Sequence, residues 1–304
     1  MRILVCGANG QVGRELVERA ANFGLTAIGR DRQQLDITRS EQIERDLQQF
    51  QPQMIINAAA YTHVDNAEKD EQQAYAINRD GPRNLAAAAA RAGVPLLHLS
   101  TDYVFCGEGD RPCREDDHTA PTGVYGASKL AGEQAIAEQL PEHLILRTSW
   151  VYGLHGHNFV KTMLRLGAER DSLGVVSDQV GGPTEAGNIA GVLLWLARHY
   201  AREGSLAWGL YHYSGAPACS WYDFAEEIFR QAEALGLLAR RPQVRPIATS
   251  DYPTPARRPA WSVLDCSRLH AQYGISQRDW RRDLADVLER LARHEQPAAR
   301  ASLA

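Results

Sequence analysis

Short apolar runs alternate with amphipathic stretches along the first half of the chain. Residues 2–6 form an almost continuous apolar run that ends at a glycine, a pattern that predicts a buried strand. Residues 11–22 then place apolar side chains at helical spacing, which predicts a helix. The alternation continues with strands predicted at 25–29, 54–56, 95–99 and 143–147, and helices at 41–50, 68–92 and 123–139. It predicts an α/β fold with a doubly wound (Rossmann-type) parallel sheet and helices on both faces.

The second half of the chain is less regular. Its pattern predicts one strand, at 210–213, and three helices, at 187–201, 221–235 and 279–293. The segment 240–259 holds five of the 14 prolines, so we expect an extended loop there rather than a strand or a helix. We therefore expect a regular domain at 1–150. A smaller, irregular part at 151–304 would supply substrate specificity and return some segments to the first domain.

Composition and charge narrow the class of protein. The 304 residues are 44% hydrophobic and 23% charged, which is enough to bury a sizeable core. The net charge is only −4 and no Lys/Arg block is interleaved with aromatic residues, so we expect no nucleic-acid partner. No apolar stretch approaches the length of a bilayer span, and no charged-then-apolar leader follows Met1. Neither a membrane protein nor a secreted protein is expected.

Cysteine usage agrees with a reducing compartment. The cysteines are odd in number, scattered and without a CxxC pair, which favours free thiols over a disulfide framework or a zinc site. They are Cys6, Cys106, Cys113, Cys219 and Cys266. A cytoplasmic location is therefore expected.

A glycine-rich turn lies between the first predicted strand and the first predicted helix. Gly7, Gly10 and Gly13 form a GxxGxxG pattern. Glycine is needed where a backbone turns tightly, lies against a pyrophosphate, or lets a helix approach a strand closely. The free N–H groups at the start of the helix would then face a diphosphate. A tight turn without a ligand is the alternative, but its position at the start of a βαβ unit favours a dinucleotide site.

The end of the second predicted strand bears on which dinucleotide binds. Arginines at this point accommodate a 2′-phosphate, whereas an acidic residue grips the ribose 2′-hydroxyl. Arg30 and Arg32 favour NADPH, while Asp31 keeps NADH open. Downstream, Asp36 and Ile37 offer an acceptor and an apolar face to adenine.

Tyr125 and Lys129 lie four residues apart in a predicted helix and so share one face. A free phenol has a pKa of about 10, and an ammonium within about 4–6 Å lowers that pKa. Such a pair can give a proton to a carbonyl oxygen or take one from an alcohol. An ordinary helix surface is the alternative. The hydroxyls of Ser100 and Thr101 favour an acid–base role for Tyr125 and Lys129. They are expected at the carboxyl edge of the sheet, where doubly wound folds bind ligands.

In this order, the motifs resemble the extended short-chain dehydrogenase/reductase family, and within it the reductases of nucleotide-linked ketosugars. The resemblance covers nearly the whole chain. Besides the glycine turn, the matching stretches are 57–65, 100–105, 124–133, 147–152, 158–164, 178–184 and 252–259. The last of these, with its paired arginines between prolines, is the most specific to the subfamily.

The resemblance implies roles for individual residues. Tyr125 would be the proton donor, Lys129 would lower its pKa and bind the nicotinamide ribose, and Thr101 would hold the substrate carbonyl. The cofactor would contact Gly7, Gly10, Gln11, Val12, Gly13, Arg30, Asp36, Ile37, Ala60, Tyr61, Thr62, Tyr125 and Lys129. The substrate would contact Thr101, Asp102, Trp150, Arg257 and Arg258. Both arginines would present forked donors to a diphosphate, with a solvated surface loop as the alternative.

Two positions leave part of the family pattern open. Cys106 stands where many relatives carry an aspartate. Some relatives bind Mg²⁺ through glutamates at a dimer interface. Glu15 matches one such position without recognisable partners, so Mg²⁺ and a homodimer both stay open.

The function implied by the resemblance is reduction of a nucleotide-linked ketosugar by NAD(P)H. An epimerase or dehydratase of the same fold is one alternative, although such dehydratases carry an acidic pair after the threonine and here Asp102 is followed by Tyr103. A non-catalytic regulatory subunit is the other alternative. The presence of both Tyr125 and Lys129 counts against it.

Overall fold

The computed structural model describes residues 1–301, and side chains up to residue 293. Its strands are β1 (Arg2–Cys6), β2 (Thr26–Arg30), β3 (Met54–Asn57), β4 (Leu96–Thr101), β5 (His143–Thr148), β6 (Val151–Tyr152), β7 (Ser172–Val176), β8 (Val180–Gly181), β9 (Thr184–Glu185), β10 (Gly209–His212), β11 (Cys219–Ser220) and β12 (Gln243–Ile247). Its α-helices are α1 (Gln11–Arg19), α2 (Ser40–Phe50), α3 (Val64–Ala67), α4 (Glu71–Tyr75), α5 (Gly81–Ala92), α6 (Val124–Gln139), α7 (Phe159–Glu169), α8 (Ala186–Glu203), α9 (Trp221–Ala234), α10 (Ser267–Tyr273) and α11 (Trp280–Ala301). Shorter turns are the 3₁₀ segments Ala20–Phe23, Asp102–Val104 and Thr249–Asp251 and the π-helical segment Ala76–Asp80. Within the described residues, no helix is both long and apolar enough to cross a bilayer.

Six strands form the central sheet in the order β10-β5-β4-β3-β1-β2. Every neighbouring pair is parallel. The chain runs outward from β1 in both directions, to β2 on one side and to β3 on the other. The carboxyl ends of β1 and β3 therefore border the crevice where doubly wound folds bind their ligands. The α/β class and the doubly wound parallel sheet predicted from the sequence are confirmed.

Both faces of the sheet bury apolar side chains. On one face Ile3 and Ile56 belong to a core that includes Leu16 of α1 and the inner side of α8. On the other face Leu4 and Ile55 belong to a core that includes α2 and α5. Consecutive strand residues point to opposite faces, so a strand covered on both sides must be apolar throughout. This is why the pattern of continuous apolar runs predicted these strands.

A further apolar core holds the second half of the chain together. It is built from α7, α9, α11 and β7, with Phe224, Phe229 and Trp280 among its buried members. The second half also returns to the central sheet, because β10 pairs with β5. The division of the chain near residue 150 stays a prediction.

The helix predicted at 68–92 is interrupted. After α4 the chain makes the π-helical segment Ala76–Asp80, and α5 begins at Gly81 with Pro82 in its first turn. Proline suits the start of a helix because its missing N–H would be unpaired there in any case. A Cβ at Gly81 would lie 2.5 Å from Ile37 Cδ1, so glycine allows this segment to pack closely.

The segment 240–259, predicted to be an extended loop, contains a strand. β12 pairs with β7 in parallel over its whole length, including Pro246. Proline is compatible with this strand because the sheet has two strands only, and each keeps one edge unpaired. The expectation of no strand there is therefore wrong. The sequence pattern also did not place α7 and β7.

Candidate functional site

The glycine turn joins β1 to α1 at the crevice of the sheet. Gly7 has a φ of +79°, and a Cβ there would lie 2.6 Å from the backbone nitrogen of Ala59. A Cβ at Gly13 would overlap with the carbonyl oxygen of Gly7. Gly10 is the N-cap of α1, and no described side chain caps that end. The turn therefore packs tightly against the loop after β3 and leaves the first N–H groups of α1 to face an anion.

A cavity of about 320 Å³, the first cavity, opens beside the glycine turn. Of the residues predicted to bind a cofactor, it is lined by Gly7, Gly10, Asp36, Ile37, Ala60, Tyr61 and Thr62. Asn78 fixes the wall at Tyr61, whose N–H donates to Asn78 Oδ1 over 2.8 Å. Asn78 Nδ2 donates back to the Tyr61 carbonyl oxygen over 3.1 Å. Sequence reasoning missed Asn78 because it lies where a continuous helix was predicted.

Arg30, predicted to contact the adenosine half of a cofactor, is turned away from the first cavity. Its Nε donates to Asp46 over 2.9 Å, and its guanidinium lies 4.2 Å from the centre of the Phe50 ring. Asp46 is buried in α2, so the ion pair draws Arg30 towards that helix. Arg32 lines the cavity instead.

A second cavity of about 550 Å³, the central cleft, continues from the first. The two share Gly10, Ala58, Ala60 and Thr62. Residues predicted for catalysis, cofactor and substrate come together in its walls, namely Gln11, Val12, Thr101, Asp102, Tyr125, Lys129 and Trp150. The carboxyl end of β4 and the first turns of α6 bring Thr101 to Tyr125, as the sequence predicted.

Tyr125 lies at the start of α6 and is partly open to the central cleft. Desolvation of its hydroxyl raises the pKa of Tyr125 to about 12, although a hydrogen bond with the Thr101 side chain acts in the opposite direction. Thr101 Oγ1 in turn donates to Asp102 Oδ1 over 3.0 Å and accepts the Tyr103 N–H over 3.2 Å. The phenol is therefore protonated at neutral pH and can act as a proton donor.

Lys129 lies one turn further along α6 and is 2% exposed. Its Nζ donates to the Leu99 carbonyl oxygen over 2.6 Å and lies 3.2 Å from His98 Nε2. Burial lowers the pKa of Lys129 to about 8, and the Glu133 carboxylate opposes that shift.

The expected lowering of the Tyr125 pKa by Lys129 does not appear in this structure. The pKa of Tyr125 is raised, and Lys129 is not among the groups that shift it. Burial destabilises the charged form of both side chains, which raises the pKa of a phenol and lowers that of an amine. Lys129 Nζ also bonds to β4 rather than to the phenol.

Asp102 follows Thr101 at the floor of the central cleft. Burial raises the pKa of Asp102 to about 7, although the nearby hydroxyl groups of Ser262 and Thr101 act to lower it. Its Oδ2 has no hydrogen-bond partner among the described residues. A buried carboxyl group with one unpaired oxygen is suited to bind a polar group of a ligand.

A buried ion pair beneath the cleft anchors α6. Arg147 of β5 donates from Nε and Nη2 to the two carboxylate oxygens of Glu133, over 2.9 and 2.6 Å. Ser100 donates to the same carboxylate over 2.5 Å. These bonds join α6 to β4 and β5, and so fix the helix that carries Tyr125 and Lys129. Both residues lie in stretches of the family resemblance, but no motif in the sequence indicates that they form a pair.

Trp150 reaches the central cleft through an unusual backbone conformation. Its φ is +46°, a region that non-glycine residues rarely adopt and that accompanies functional sites. Its ring stacks on Trp221 with 3.4 Å between the ring centres. A Cβ at Gly181 would lie 2.5 Å from Trp150 Cε2, so glycine makes room for the indole. Sequence reasoning missed Trp221, whose partner is distant along the chain.

A third cavity of about 610 Å³ lies next to the central cleft, and Tyr103 lines both. Arg258 lines it and is held by two bonds of 2.7 Å to the Asp65 carboxylate. Arg257 does not line it: its side chain is 67% exposed and lies 3.5 Å from Glu108. Of the two arginines predicted to bind a diphosphate, only Arg258 is therefore in position.

Two further arginines line the third cavity, Arg170 after α7 and Arg245 in β12. The sequence analysis did not single them out. Both belong to the part of the chain where the hydrophobic pattern failed to place elements, so nothing indicated that they converge.

Glu15, the position considered for Mg²⁺, is buried among basic groups. Its carboxylate lies 2.6 Å from Arg19 Nε, 3.5 Å from Arg290 Nη1 and 3.7 Å from His155 Nε2. Cationic neighbours compete with a metal ion for carboxylate oxygens. Across the described part of the chain, no group of three or more His, Cys, Asp and Glu side chains is arranged to hold a metal ion. Mg²⁺ binding is not supported.

The chain is similar to known proteins along nearly its whole length. The family model described as RmlD substrate binding domain matches residues 1–293. A dTDP-4-dehydrorhamnose reductase of Aggregatibacter actinomycetemcomitans is 45% identical over 287 residues, which cover 94% of this chain and 98% of that protein.

Solved structures give the same result. The crystal structure of a dTDP-4-dehydrorhamnose reductase from Clostridium acetobutylicum has 40% identity and a TM-score of 0.89, covering 96% of this chain and 99% of that one. The dTDP-4-dehydrorhamnose reductase from Bacillus anthracis, solved in complex with NADP, has 38% identity and a TM-score of 0.88. The match covers 95% of this chain and 99% of that one.

Proposed function

The chain belongs to the dTDP-4-dehydrorhamnose reductase family, and from that premise we propose that it reduces the 4-keto group of dTDP-4-dehydro-L-rhamnose to give dTDP-L-rhamnose. It is an oxidoreductase, and the family predicted from the sequence is confirmed. The observation that carries the proposal is the central cleft, where Tyr125, Lys129 and Thr101 meet beside the glycine turn. The reaction would be the last step of dTDP-L-rhamnose biosynthesis.

The first cavity and the central cleft fit a nicotinamide dinucleotide. The glycine turn has no room for side chains and presents the start of α1 to a diphosphate, which Gly10, Gln11 and Val12 would hold. Further contacts would come from Asp36, Ile37, Ala60, Tyr61 and Thr62 around the adenosine half, and from Tyr125 and Lys129 at the nicotinamide ribose. When bound, the reduced dinucleotide supplies the hydride.

NADPH is the cofactor that we propose as preferred, with NADH as the alternative. Arg32 and Asp31 both line the first cavity. The Asp31 carboxylate is already engaged, at 2.8 Å by the Asn9 amide and at 2.9 and 3.0 Å by the backbone N–H groups of Gln33 and Gln34. An engaged carboxylate is a poor acceptor for a ribose hydroxyl, whereas a guanidinium suits a 2′-phosphate. The NADP complex of the Bacillus anthracis relative supports this choice.

Tyr125 would deliver the proton to the substrate oxygen as an alkoxide forms there. It holds that proton at neutral pH because its pKa is raised to about 12. Thr101, whose side chain lies beside the phenol in the same cleft, would orient the carbonyl oxygen. Lys129 in its ammonium form would stabilise the phenolate left behind.

The third cavity would hold the nucleoside diphosphate of the substrate. Arg258, Arg170 and Arg245 line it, and guanidinium groups bind phosphate oxygens through paired donors. The sugar would then extend into the central cleft, towards Asp102 and Trp150. A cytoplasmic location, expected from the sequence, stays a prediction, and a homodimer, which the sequence left open, stays open.

The proposal is tested with freshly generated dTDP-4-dehydro-L-rhamnose and with NADPH and NADH in parallel reactions. We expect one NADPH oxidised for each dTDP-L-rhamnose formed. An epimerase or dehydratase recycles its bound cofactor, so conversion of substrate without net NADPH oxidation would contradict the proposal. Absence of turnover with any nucleotide-linked ketosugar would contradict it as well and would favour a regulatory subunit.

A further inference from the structure

A buried hydrogen-bond chain runs behind the central cleft from β3 to α6. Asn57 ends β3, His98 lies in β4, and both side chains are fully buried. Asn57 Nδ2 lies 3.0 Å from His98 Nδ1, and His98 Nε2 lies 3.2 Å from Lys129 Nζ. None of the roles proposed above uses His98.

The backbone determines which end of the Asn57 amide faces His98. The Ala59 N–H donates to Asn57 Oδ1 over 3.0 Å. Because an N–H group can only donate, the amide oxygen must lie on that side and the Nδ2 group must face the imidazole. Nδ2 then donates to His98 Nδ1, which is therefore the acceptor nitrogen of the ring.

The protonation state of His98 follows from this constraint. Burial lowers the pKa of His98 well below 6.5, so the imidazole is neutral. A neutral imidazole carries one proton, and when Nδ1 accepts a hydrogen bond the proton is on Nε2. The Nε2–H of His98 therefore points at Lys129 Nζ.

This arrangement favours one form of Lys129. An ammonium has three donors and no acceptor, so its N–H groups would face the Nε2–H of His98 without forming a hydrogen bond. A neutral amine instead accepts a hydrogen bond from that Nε2–H through its lone pair. The bond from Nζ to the Leu99 carbonyl oxygen, at 2.6 Å, suits either form. We propose that His98, oriented by Asn57, is a positioning residue that shifts Lys129 towards the neutral amine when the enzyme has no ligand. The inference rests on the proposed function, in which Lys129 supports Tyr125.

The other ionisable groups around Lys129 do not reverse this preference. Glu133 favours the ammonium, but both of its oxygens already accept hydrogen bonds from Arg147. Tyr125, on the same helix, is uncharged at neutral pH. On the imidazole, the positive charge of the Lys129 ammonium and then His143 of β5 act in the same direction as burial and lower the pKa of His98. Burial of Lys129 itself favours the amine, and the imidazole N–H adds to that effect.

The imidazole tautomer can be measured directly by NMR on ¹⁵N-histidine-labelled enzyme without cofactor or substrate. The signals of His98 are assigned by their loss in His98→Gln. We expect the proton on Nε2 in the wild type at neutral pH. In Asn57→Asp we expect it on Nδ1, because a carboxylate facing that nitrogen can only accept. A wild-type proton on Nδ1 would overturn the proposal, since Nε2 would then accept a hydrogen bond from Lys129 and favour its ammonium form.

The link to Lys129 is tested by the pH dependence of kcat/KM for NADPH, which reports the pKa values of the enzyme without ligand. Activity that needs the ammonium falls as pH rises through the pKa of Lys129. In Asn57→Asp, Nε2 becomes an acceptor that stabilises the ammonium, so this alkaline loss should move to higher pH by about one unit.

The matched control is Asn57→Asp in the His98→Gln background, because the imidazole that would transmit the change to Lys129 is then absent. Its alkaline loss should stay where it lies in His98→Gln alone. An unmoved alkaline loss in Asn57→Asp would contradict the proposal. The NMR result does not depend on the substrate, so a failure of the proposed function would be recognised separately.

Discussion

At the scale of single residues, the two arginines at the end of β2 differ in the direction of their side chains. Arg32 lines the first cavity, whereas Arg30 is paired with Asp46. Arg32→Ala should raise the KM for NADPH about tenfold or more and leave the KM for NADH nearly unchanged, because only the 2′-phosphate would lose a charged hydrogen bond. Steady-state kinetics with both cofactors measures the two constants.

Arg30→Gln is the matched control for that experiment. It should keep the preference between the two cofactors and lower the free energy of unfolding by about 2 kcal/mol, because buried Asp46 loses its strongest partner. A cofactor preference that changes with Arg30 and not with Arg32 would show that the assignment is wrong.

The residues of the central cleft were predictable where the backbone alone positions them. Tyr125 and Lys129 share a helix face because of their spacing, and Thr101 reaches the crevice because it ends a parallel strand. The direction of Arg30 was not predictable, since it depends on a buried carboxylate in another element. The raised pKa of Tyr125 was not predictable either, because it follows from burial by distant residues.

At the scale of elements, the contact between α1 and β1 depends on Gly13. A Cβ there would overlap with the Gly7 carbonyl oxygen, so Gly13→Ala must push α1 away from the turn. We expect the free energy of unfolding to fall by about 1–3 kcal/mol and the affinity for NADPH to fall about tenfold or more, equal to about 1.4 kcal/mol. Denaturant titration and NADPH fluorescence titration measure these quantities.

Gly191→Ala is the helical control. Gly191 lies in α8, and a Cβ there would meet nothing within 4 Å. Alanine should stabilise the helix by up to about 1 kcal/mol and leave NADPH affinity unchanged. If both variants bound NADPH like the wild type, the tight glycine turn would not be needed for the cofactor.

The sequence predicted strands well where both faces of the strand are buried. It predicted elements poorly where a strand has a single neighbour or where a tertiary contact interrupts a helix. The strands of the central sheet read as continuous apolar runs because helices cover both sides. β12 contains Pro246 and pairs with one strand only, so its residues lack that signal. The interruption before α5 depends on the close approach of Gly81 to Ile37, a tertiary contact.

At the scale of the whole molecule, the proposed substrate site lies where the two halves of the chain meet. Arg258 comes from the second half and is held by Asp65 from the first. Arg258→Met should raise the KM for the nucleotide sugar about tenfold or more, because charged hydrogen bonds to the diphosphate are lost. The values of kcat and of the KM for NADPH should change much less. Steady-state kinetics with either substrate varied separates these effects.

Arg257→Met provides the comparison, since Arg257 is the exposed neighbour that does not line the third cavity. We expect little change in any kinetic constant. Equal effects of the two substitutions would contradict the assignment of Arg258. Sequence reasoning could name both arginines but could not choose between them, because the choice depends on how the loop folds back onto Asp65.

The central claim is that the Tyr125 phenol donates the proton within the cleft, and single-turnover kinetics of Tyr125→Phe with NADPH and dTDP-4-dehydro-L-rhamnose tests it most directly. Phenylalanine keeps the ring and removes only the hydroxyl. The account predicts a loss of about 10²–10⁴-fold in the rate of the chemical step, with NADPH affinity little changed. A rate close to that of the wild type would contradict it.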